Sequence, residues 1–426
     1  MTNEKKKIIL IGAGMRGRSY TDIAKDVLSD TFEVVAVADP NDASREHVKN
    51  KHSLPDNMCF KSWEPLLAMP KIADIAIIST LDRDHIAPSL LAIEKGYNLL
   101  LEKPAGATPE ECRAIQHAAE KRGVFALVCH VLRYTKFFIA LKNIIDSGDI
   151  GEVRTIQHIE GVGNVHQSHS FVRGNWRNSD ESTPMILQKS CHDMDILAWL
   201  IGKKCKKVQS FGSLSYFIPE NAPEGAPERC IDGCPKTDCP YNAVKLYYDD
   251  KDNSWFRNVS TGLLSPTDED VERALRTTDY GKCVFKCPNN VVDHQVVNLL
   301  FEDNVTVSFS MNAFNKGGRT IKIMGTKGEV NATFSDPIIR VYDFLTETEK
   351  EINLESGKVD DTIVGGHGGG DTGIMLALKD LVLGVPNKSI CEIGESCDNH
   401  MIAFAAEESR VHGTVVDMDE FMSRFE

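Results

Sequence analysis

The sequence has 426 residues, 42% apolar and 26% charged, which is enough for two or three domains with sizeable cores. Its net charge, 48 − 62 = −14, argues against a general nucleic-acid surface, which needs a basic stripe. The amino terminus lacks the features of a signal peptide, and no apolar run approaches the roughly 20 residues that span a bilayer. These properties predict a cytoplasmic protein that binds neither nucleic acid nor membrane, and whose cysteines are thiols or metal ligands more readily than disulfides.

Strands and helices alternate through the first 128 residues. Continuous apolar runs, typical of strands buried on both faces, occupy 7–12, 33–39, 73–79, 97–102 and 124–129. Helical spacing occupies 16–29 and 84–95, and the capping box Thr108-Pro109-Glu110-Glu111 opens a helix that runs to about residue 122. The pattern predicts an α/β domain with a doubly wound parallel sheet over 1–128.

From residue 129 to 426 the pattern predicts an α+β domain with a large open, mainly antiparallel sheet. Helices are predicted at 134–147, 191–201, 371–383 and 394–411, and strands at 152–162, 294–301, 304–313, 318–325, 328–334 and 338–344. Residues 219–290 are rich in proline, aspartate and cysteine, and we expect an irregular insertion there. We call this stretch the cysteine-rich segment.

A glycine-rich turn follows the first predicted strand. Gly12, Gly14 and Gly17 flank Met15 and Arg16, and a helix begins within the motif. Such glycines allow a tight turn and a close approach of the backbone to a pyrophosphate. Asp39 ends the next strand, where an acidic residue binds ribose hydroxyls and repels a 2′-phosphate. The motif predicts an NAD site, although Arg16 and Arg45 leave NADP possible, and the plain alternative is a turn glycine with a strand-end aspartate.

The third predicted strand ends at Ser79-Thr80-Leu81. The carboxyl ends of strands in an open parallel sheet are where ligands bind. We therefore expect Thr80 and Leu81 to line the nicotinamide ribose. His85, on the following helix, is either a cofactor contact or a structural residue at a helix start.

Glu102-Lys103-Pro104 ends the fourth long strand. A lysine at the end of a buried strand is poorly explained by stability, because burial disfavours its charge. The proline fixes the chain direction, and a cis peptide bond is one way to do so. The tripeptide predicts an amine that is aimed into the crevice holding the cofactor, with Glu102 beside it.

Together these motifs resemble the Gfo/Idh/MocA family of oxidoreductases. The resemblance is carried by Gly12 to Gly17, Asp39, Thr80-x4-His85, Glu102-Lys103-Pro104 and His192-x-x-Asp195. It implies a Rossmann domain, a second domain whose open sheet often mediates oligomers, and NAD(P)-dependent oxidation or reduction of a sugar or polyol. The expected assembly is a homo-oligomer, a dimer or tetramer.

The resemblance also implies roles for residues near the expected cleft. The family's catalytic lysine falls on Lys103 and its histidine on His192. Gln188 stands where the family often has an aspartate, so the usual relay is in doubt, and Lys189 becomes a candidate ligand for a substrate hydroxyl or carboxylate. The candidate substrate ligands in this region are Lys103, Gln188, Lys189, His192 and Asp195. Asp195 either orients the His192 imidazole or satisfies backbone amides at the helix start.

Two further stretches are candidates for lining the pocket. His130-x-x-Arg133-Tyr134 follows the last predicted strand of the first domain, and Arg133 is a candidate substrate ligand, with a structural or domain-bridging role as the alternative. His367-Gly368-Gly369-Gly370-Asp371 is a glycine-rich loop before a helix, which is either part of the cleft or a plain linker.

Five cysteines cluster in the cysteine-rich segment, namely Cys230, Cys234, Cys239, Cys283 and Cys287. Four thiolates can hold a structural zinc, but the spacing does not match a standard C-x2-C ribbon. Reduced thiols that pack the insertion are the other main interpretation, and disulfides are a third.

Three functions fit these observations. The first is an NAD(P)-dependent dehydrogenase that moves hydride between nicotinamide and a sugar or polyol carbon, with Lys103 and His192 handling the hydroxyl proton. The second is a glycoside-cleaving enzyme that oxidises, eliminates and returns the hydride to its substrate. The third is a non-catalytic sugar or nucleotide sensor on the same fold.

Overall fold

A six-stranded parallel sheet, the first sheet, is formed by the amino-terminal part of the chain in the computed structural model, which describes residues 4–355 and 366–426. Its strands are β1 (Lys6–Ile11), β2 (Phe32–Ala38), β3 (Cys59–Phe60), β4 (Ile75–Ile78), β5 (Asn98–Leu101) and β6 (Ala126–Val128), in the order β3-β2-β1-β4-β5-β6. Its helices are α1 (Met15–Asp26), α2 (Asp42–His52), α3 (Trp63–Ala68), α4 (Ile86–Glu94) and α5 (Pro109–Arg122). The predicted doubly wound sheet is confirmed; β3 escaped prediction because it has only two, half-buried residues.

A mixed nine-stranded sheet, the second sheet, is formed by the part of the chain that follows. Its strands are β7 (Val153–Gly161), β8 (Cys205–Ser213), β9 (His294–Phe301), β10 (Thr306–Asn312), β11 (Gly318–Gly325), β12 (Gly328–Thr333), β13 (Ile338–Asp343), β14 (Thr348–Asn353) and β15 (Val416–Asp417). They lie in the order β14-β13-β12-β11-β7-β10-β9-β8-β15, and every neighbouring pair is antiparallel except β7 and β10. The mainly antiparallel sheet is therefore confirmed.

The helices after the first sheet differ in what they pack against. They are α6 (Lys136–Ser147), α7 (Asn164–His166), α8 (Met185–Gln188), α9 (Cys191–Ile201), α10 (Ser254–Thr261), α11 (Asp268–Thr277), α12 (Gly370–Leu383), α13 (Ile393–His412) and α14 (Met418–Met422). Helix α13 packs against α5 of the first sheet and against α9 and β8 of the second. The chain just before it extends the edge of the first sheet, where the Val128 amide donates to the Cys391 carbonyl at 3.1 Å.

The cysteine-rich segment is more regular than the sequence suggested. The prediction of an irregular stretch is wrong for α10, α11 and the π-helical segment Val244–Asp249. Helix α11 begins with a capping box between Thr267 and Asp270. Its apolar side chains are buried in a small core separate from those of the two sheets. The signal was present in Thr267-x-x-Asp270, but the surrounding acidic residues masked the short apolar stripe.

Candidate active site

The glycine-rich turn lies where the strand order of the first sheet reverses, between β1 and β4, and this is the place where parallel sheets open a crevice. Gly12 has φ +88°, and a Cβ there would lie 2.5 Å from the Ser79 carbonyl carbon. A Cβ on Gly17 would lie 2.1 Å from the Gly12 oxygen. These two glycines are needed for packing of the turn itself.

Gly14 has a different reason to be glycine. A Cβ at Gly14 would meet nothing within 4 Å among the residues that the structure describes, so its missing side chain leaves space open to the crevice. Gly14 is also the N-cap of α1, and in this described region no side chain caps the helix and its first turn carries no acidic residue. The free amides of a 12-residue helix therefore face open space, an arrangement that suits a diphosphate. The turn fits a dinucleotide.

Asp39 braces the same turn from the end of β2. Its carboxylate accepts hydrogen bonds from the Ala13 amide at 2.5 Å and from the Asn41 amide at 2.7 Å. Arg45, which was a candidate for a 2′-phosphate, donates to the Asp39 carbonyl at 2.6 Å and pairs with Asp42. An acidic group thus stands at the expected ribose position, and the arginine beside it is already engaged.

The Arg16 side chain points away from Asp39 and toward the end of β5. Its guanidinium donates to Glu102 Oε1 at 2.9 Å and to Asp371 Oδ2 at 2.8 Å, and it contacts His367 Nδ1 at 3.0 Å. Burial opposes ionisation of Glu102, but the Arg16 and Lys103 charges outweigh it and hold the pKa of that carboxyl below its ordinary value. Arg16 therefore joins the glycine-rich turn to the loop that opens α12, while its neighbour Met15 is exposed.

The residues after β4 fall into three environments. Thr80 Oγ1 is buried and has no hydrogen-bond partner in the described chain, which makes it available to a ligand. Leu81 is exposed beside it. His85 is buried, and its ring nitrogens lie 2.7 Å from the Pro104 carbonyl oxygen and 3.2 Å from that of Thr80. His85 thus acts as a brace between the ends of two strands.

Lys103 follows β5 and is half-buried, with a cis peptide bond to Pro104. Its Nζ donates a hydrogen bond of 2.6 Å to the backbone carbonyl of Gln188, at the end of α8. The amine of the first sheet is thereby held at the point where it meets the helices of the second. That this amine also faces a bound cofactor, as Glu102-Lys103-Pro104 led us to expect, stays a prediction.

His192 lies in the first turn of α9, three residues after Lys189. Its Nδ1 is buried and has no hydrogen-bond partner within residues 4–355 and 366–426. Burial, followed by the Lys103 charge, holds the pKa of His192 well below its ordinary value. The imidazole is therefore neutral at physiological pH and has an unoccupied ring nitrogen to offer a ligand.

The Gln188 side chain points away from Lys103. Its amide Nε2 donates to the Trp176 carbonyl at 2.8 Å, and its Oε1 accepts from Ser182 Oγ at 3.0 Å. Only the backbone of Gln188 touches the lysine. The side chain of Gln188, a predicted substrate ligand, is thus bonded to other protein groups and not directed at the space beside Lys103.

Lys189 belongs to a buried cluster of charges that the sequence reasoning missed. Its Nζ lies 3.3 Å from Glu160 Oε1, and Arg319 Nε lies 2.7 Å from Glu160 Oε2 and 2.8 Å from Asp193 Oδ1. His158 Nε2 is 2.8 Å from the same Asp193 oxygen. Burial lowers the pKa of Lys189, although Glu160 opposes that shift. Only the alternation of polar and apolar residues along β7 hinted at these inward-facing groups.

Arg133 and Asp195 form a fully buried ion pair. Arg133 donates two hydrogen bonds of 2.7 Å to the Asp195 carboxylate, which also accepts from Asn399 at 2.8 Å. The two sequence interpretations required Asp195 either to orient His192 or to cap α9, and its carboxylate does neither, because it is bonded to Arg133 and Asn399. The geometry supports a structural role for Arg133. Asp195 instead lies 3.8 Å from His130 Nδ1, and the His130 ring is edge-on to His192 at 6.0 Å. His130, at the start of the candidate stretch that contains Arg133, is therefore a neighbour of His192.

Metal-ligand spacing within the described residues occurs at His130, Asp195 and Cys391, and not at the five cysteines. The bidentate Arg133 already neutralises Asp195, which disfavours a cation there. Burial raises the pKa values of Cys239 and Cys283, and that of Cys287 to about 11. Every cysteine is free. Reduced thiols that pack the cysteine-rich segment fit these facts better than a zinc site.

The crevice thus combines a cradle for a diphosphate, an acidic residue for a ribose, an amine and a neutral imidazole. Such a set can bind a dinucleotide and move a proton to or from a group bound beside it. Within the described chain, the structure has no helix that is long and apolar enough to cross a membrane.

Two family models match this chain. Residues 6–130 match one described as "Oxidoreductase family, NAD-binding Rossmann fold", and residues 142–378 match one described as "Oxidoreductase family, C-terminal alpha/beta domain".

Individual proteins resemble the chain at lower identity. The Bacillus subtilis protein YteT is 24% identical over 391 residues, 88% of each protein. Inositol 2-dehydrogenase of Salmonella paratyphi B is 24% identical over 204 residues, which cover 47% of this chain and 56% of that enzyme, so this match spans only about half its length. The solved structure of a levoglucosan dehydrogenase, in complex with NADH and L-sorbose, has a TM-score of 0.70 at 16% identity and covers 97% of this chain and 99% of that one. At this identity the structural likeness shows the fold alone.

Proposed function

The chain belongs to the Gfo/Idh/MocA family of NAD(P)-dependent oxidoreductases, and from that premise we propose that it oxidises a secondary hydroxyl of a sugar or polyol with NAD. The hydrogen bond from Lys103 Nζ to the Gln188 carbonyl carries the proposal, because it fixes an amine beside the dinucleotide crevice. Sugar and polyol dehydrogenases among its relatives support the substrate class. The proposed division at residues 128 and 129 puts the cleft between the two domains.

The glycine-rich turn would hold the diphosphate, Asp39 the adenosine ribose, and Thr80 the nicotinamide ribose. When bound, NAD supplies the acceptor for the hydride that leaves the carbinol carbon. Two features support NAD over NADP. The Asp39 carboxylate would repel a 2′-phosphate, and Arg16 and Arg45, which could otherwise bind that phosphate, are both paired within the protein. These assignments rest on the open space at Gly14 and on the buried, unpartnered Thr80 hydroxyl.

Lys103 and His192 would share the hydroxyl proton. The hydrogen bond to Gln188 O positions Lys103 Nζ beside the substrate hydroxyl, so Lys103 is the proposed base, acting once its ammonium has released a proton. His192, neutral because of burial, would accept a hydrogen bond from the same hydroxyl and orient it. Lys189 and Arg319, at the edge of the charge cluster, would contact substrate hydroxyls other than the one oxidised.

The exposed face of the second sheet supports a homo-oligomer. Phe211, Val296 and Ile159 are exposed, and strand pairing sets them in one row, with Ser310 between the last two. An apolar row across an open sheet suits burial against a second copy of the chain. Sedimentation of wild type and Phe211→Glu tests this; a monomeric wild type would contradict it.

The activity is tested with a panel of polyols, sugars and glycosides, each with NAD and with NADP. Both reduced-nicotinamide absorbance and product release are followed. We expect stoichiometric NADH with at least one free sugar or polyol. Consumption of a glycoside without net NADH would support the oxidation–elimination alternative instead, and binding without turnover across the panel would support a sensor.

A further inference from the structure

Helix α10 of the cysteine-rich segment contacts residues near the proposed cofactor site at one end and residues near the buried charge cluster at the other. At its carboxyl end, the Gly262 carbonyl accepts a hydrogen bond of 3.0 Å from the Asn41 side chain. Asn41 lies beside the proposed binding site of the adenosine ribose, since its amide donates a hydrogen bond to the Asp39 carboxylate. One end of α10 is thus attached to the cofactor side of the cleft.

The other end of α10 lies on the substrate side. The Trp255 ring meets the His166 ring at 5.3 Å and 77°. His166 ends α7, six residues beyond Glu160 at the end of β7, and Glu160 is ion-paired with Lys189. Lys189 follows Gln188, whose carbonyl holds Lys103. Three contacts, joined by short stretches of the chain, therefore connect the proposed base to Trp255.

Trp255 packs at the edge of the small core in which its neighbour Phe256 is buried. Phe256 stacks on His169 at 4.2 Å, and the Trp255 ring meets the same His169 ring at 5.0 Å and 67°. Trp255 is half-buried and also contacts His166, which is half-buried too. Burial, followed by the Lys189 charge, lowers the pKa of His166 to about 3, so this ring is uncharged at physiological pH. The pair forms an uncharged aromatic wall next to a cluster of charged hydrogen-bonding groups.

We propose that Trp255 and His166 form a second subsite that binds the sugar ring next to the one oxidised, so that the enzyme prefers a glycoside or disaccharide to a single-ring polyol. The apolar face of a pyranose would stack on Trp255, while Lys189 and Glu160 would bond its hydroxyls. Ligand pockets commonly combine aromatic walls with a few polar groups in this way. The inference deepens the proposed function and rests on it, since the oxidised ring must lie at Lys103.

Steady-state kinetics with three variants test the subsite. Cellobiose and maltose are the two-ring probes, and myo-inositol is the single-ring probe. Trp255→Ala should raise KM for the best two-ring probe about tenfold or more, an effect of about 1.4 kcal/mol, and leave KM for myo-inositol within about twofold. Trp255→Phe should restore most of the affinity because it keeps an aromatic face. Val259→Ala, an exposed position on the same helix, is the matched control and should change neither.

Equal changes for one-ring and two-ring probes, or no change for either, would overturn the subsite. Calorimetric binding of cellobiose and maltose to the NAD-loaded protein separates this outcome from failure of the proposed function. If nothing in the panel is turned over, the dehydrogenase proposal fails, yet weaker two-ring binding by Trp255→Ala than by Val259→Ala still supports the subsite. Unaltered binding in Trp255→Ala, or no binding of any two-ring probe to wild type, overturns it.

Discussion

Lys103 donates its hydrogen bond to the backbone carbonyl of Gln188 and not to a side chain. The first sheet's candidate base is therefore held by the second domain through an atom that every residue type possesses. Replacement of the family's usual aspartate by glutamine leaves this contact in place.

Lys103→Ala should bind NAD like the wild type and lose turnover by about 10²–10⁴-fold, because the proton of the substrate hydroxyl then has no base. Stopped-flow hydride transfer and NAD titration measure the two effects separately. Lys121→Ala, an exposed lysine on α5, is the control and should behave as wild type. Retention of the wild-type rate by Lys103→Ala would reject the assignment.

Asp39→Ala should lower kcat/KM for NAD about tenfold or more, equivalent to about 1.4 kcal/mol, and change that for NADP much less. The carboxylate is expected to bind the ribose hydroxyls and to repel a 2′-phosphate. Asp42→Ala removes an exposed carboxylate three residues further on and should leave the NAD-to-NADP ratio unchanged. A ratio that stays constant in Asp39→Ala would show that specificity is set elsewhere.

Gln188→Glu should destabilise the fold by about 1–3 kcal/mol, because a carboxylate oxygen would face the Trp176 carbonyl where the amide now donates. It should not restore a relay, since the side chain points away from Lys103. Gln116→Glu is the matched control: its amide donates to Glu120 in an exposed position, so solvent should reduce the cost. Urea unfolding provides the comparison, and a rise in turnover with unchanged stability in Gln188→Glu would contradict the orientation described.

Asp195→Ala should cost about 3–5 kcal/mol of folding free energy, because it leaves the buried Arg133 charge without its main partner. Glu395 pairs with the same guanidinium from a half-exposed position, and Glu395→Ala should cost less than about 1 kcal/mol. Denaturant titrations measure both. A stable Asp195→Ala protein with weakened substrate binding would return Arg133 and Asp195 to the list of substrate ligands.

Stability should fall as the pH drops from about 6.5 toward 4. Burial lowers the pKa of His130 to about 3 and that of His400 to about 4, so the native state stays neutral while the unfolded chain, with histidine pKa values near 6.5, takes up protons. This contribution is fully present above about pH 6.5. His130→Gln should flatten the dependence of Tm on pH in this window, whereas the exposed His412→Gln should not. An identical slope in wild type and His130→Gln would exclude the mechanism.

Local patterns determined most of the fold. The apolar runs from 7–12 to 124–129 could only be strands buried on both faces, and the strand order that brings Gly12, Asp39, Thr80 and Lys103 to one crevice follows from the alternation of strand and helix. Strand β8 and helices α10 and α11 were missed, because their apolar residues are few and the charged residues around them obscure the period. Strand β8 is stabilised by the distant β9 and α13, whereas α10 and α11 pack against each other in their own small core.

The sequence by itself determined the fold, the family and the position of the proposed base, since each depends on residues that are close together in the chain. Tertiary structure alone decided how the charges are paired. Arg133 meets Asp195 across 62 residues, Arg16 meets Asp371 across 355, and Lys189 meets Glu160 from a separate strand. A buried charge takes whichever opposite charge the folded chain brings within a few ångströms, and local sequence carries no record of that distance.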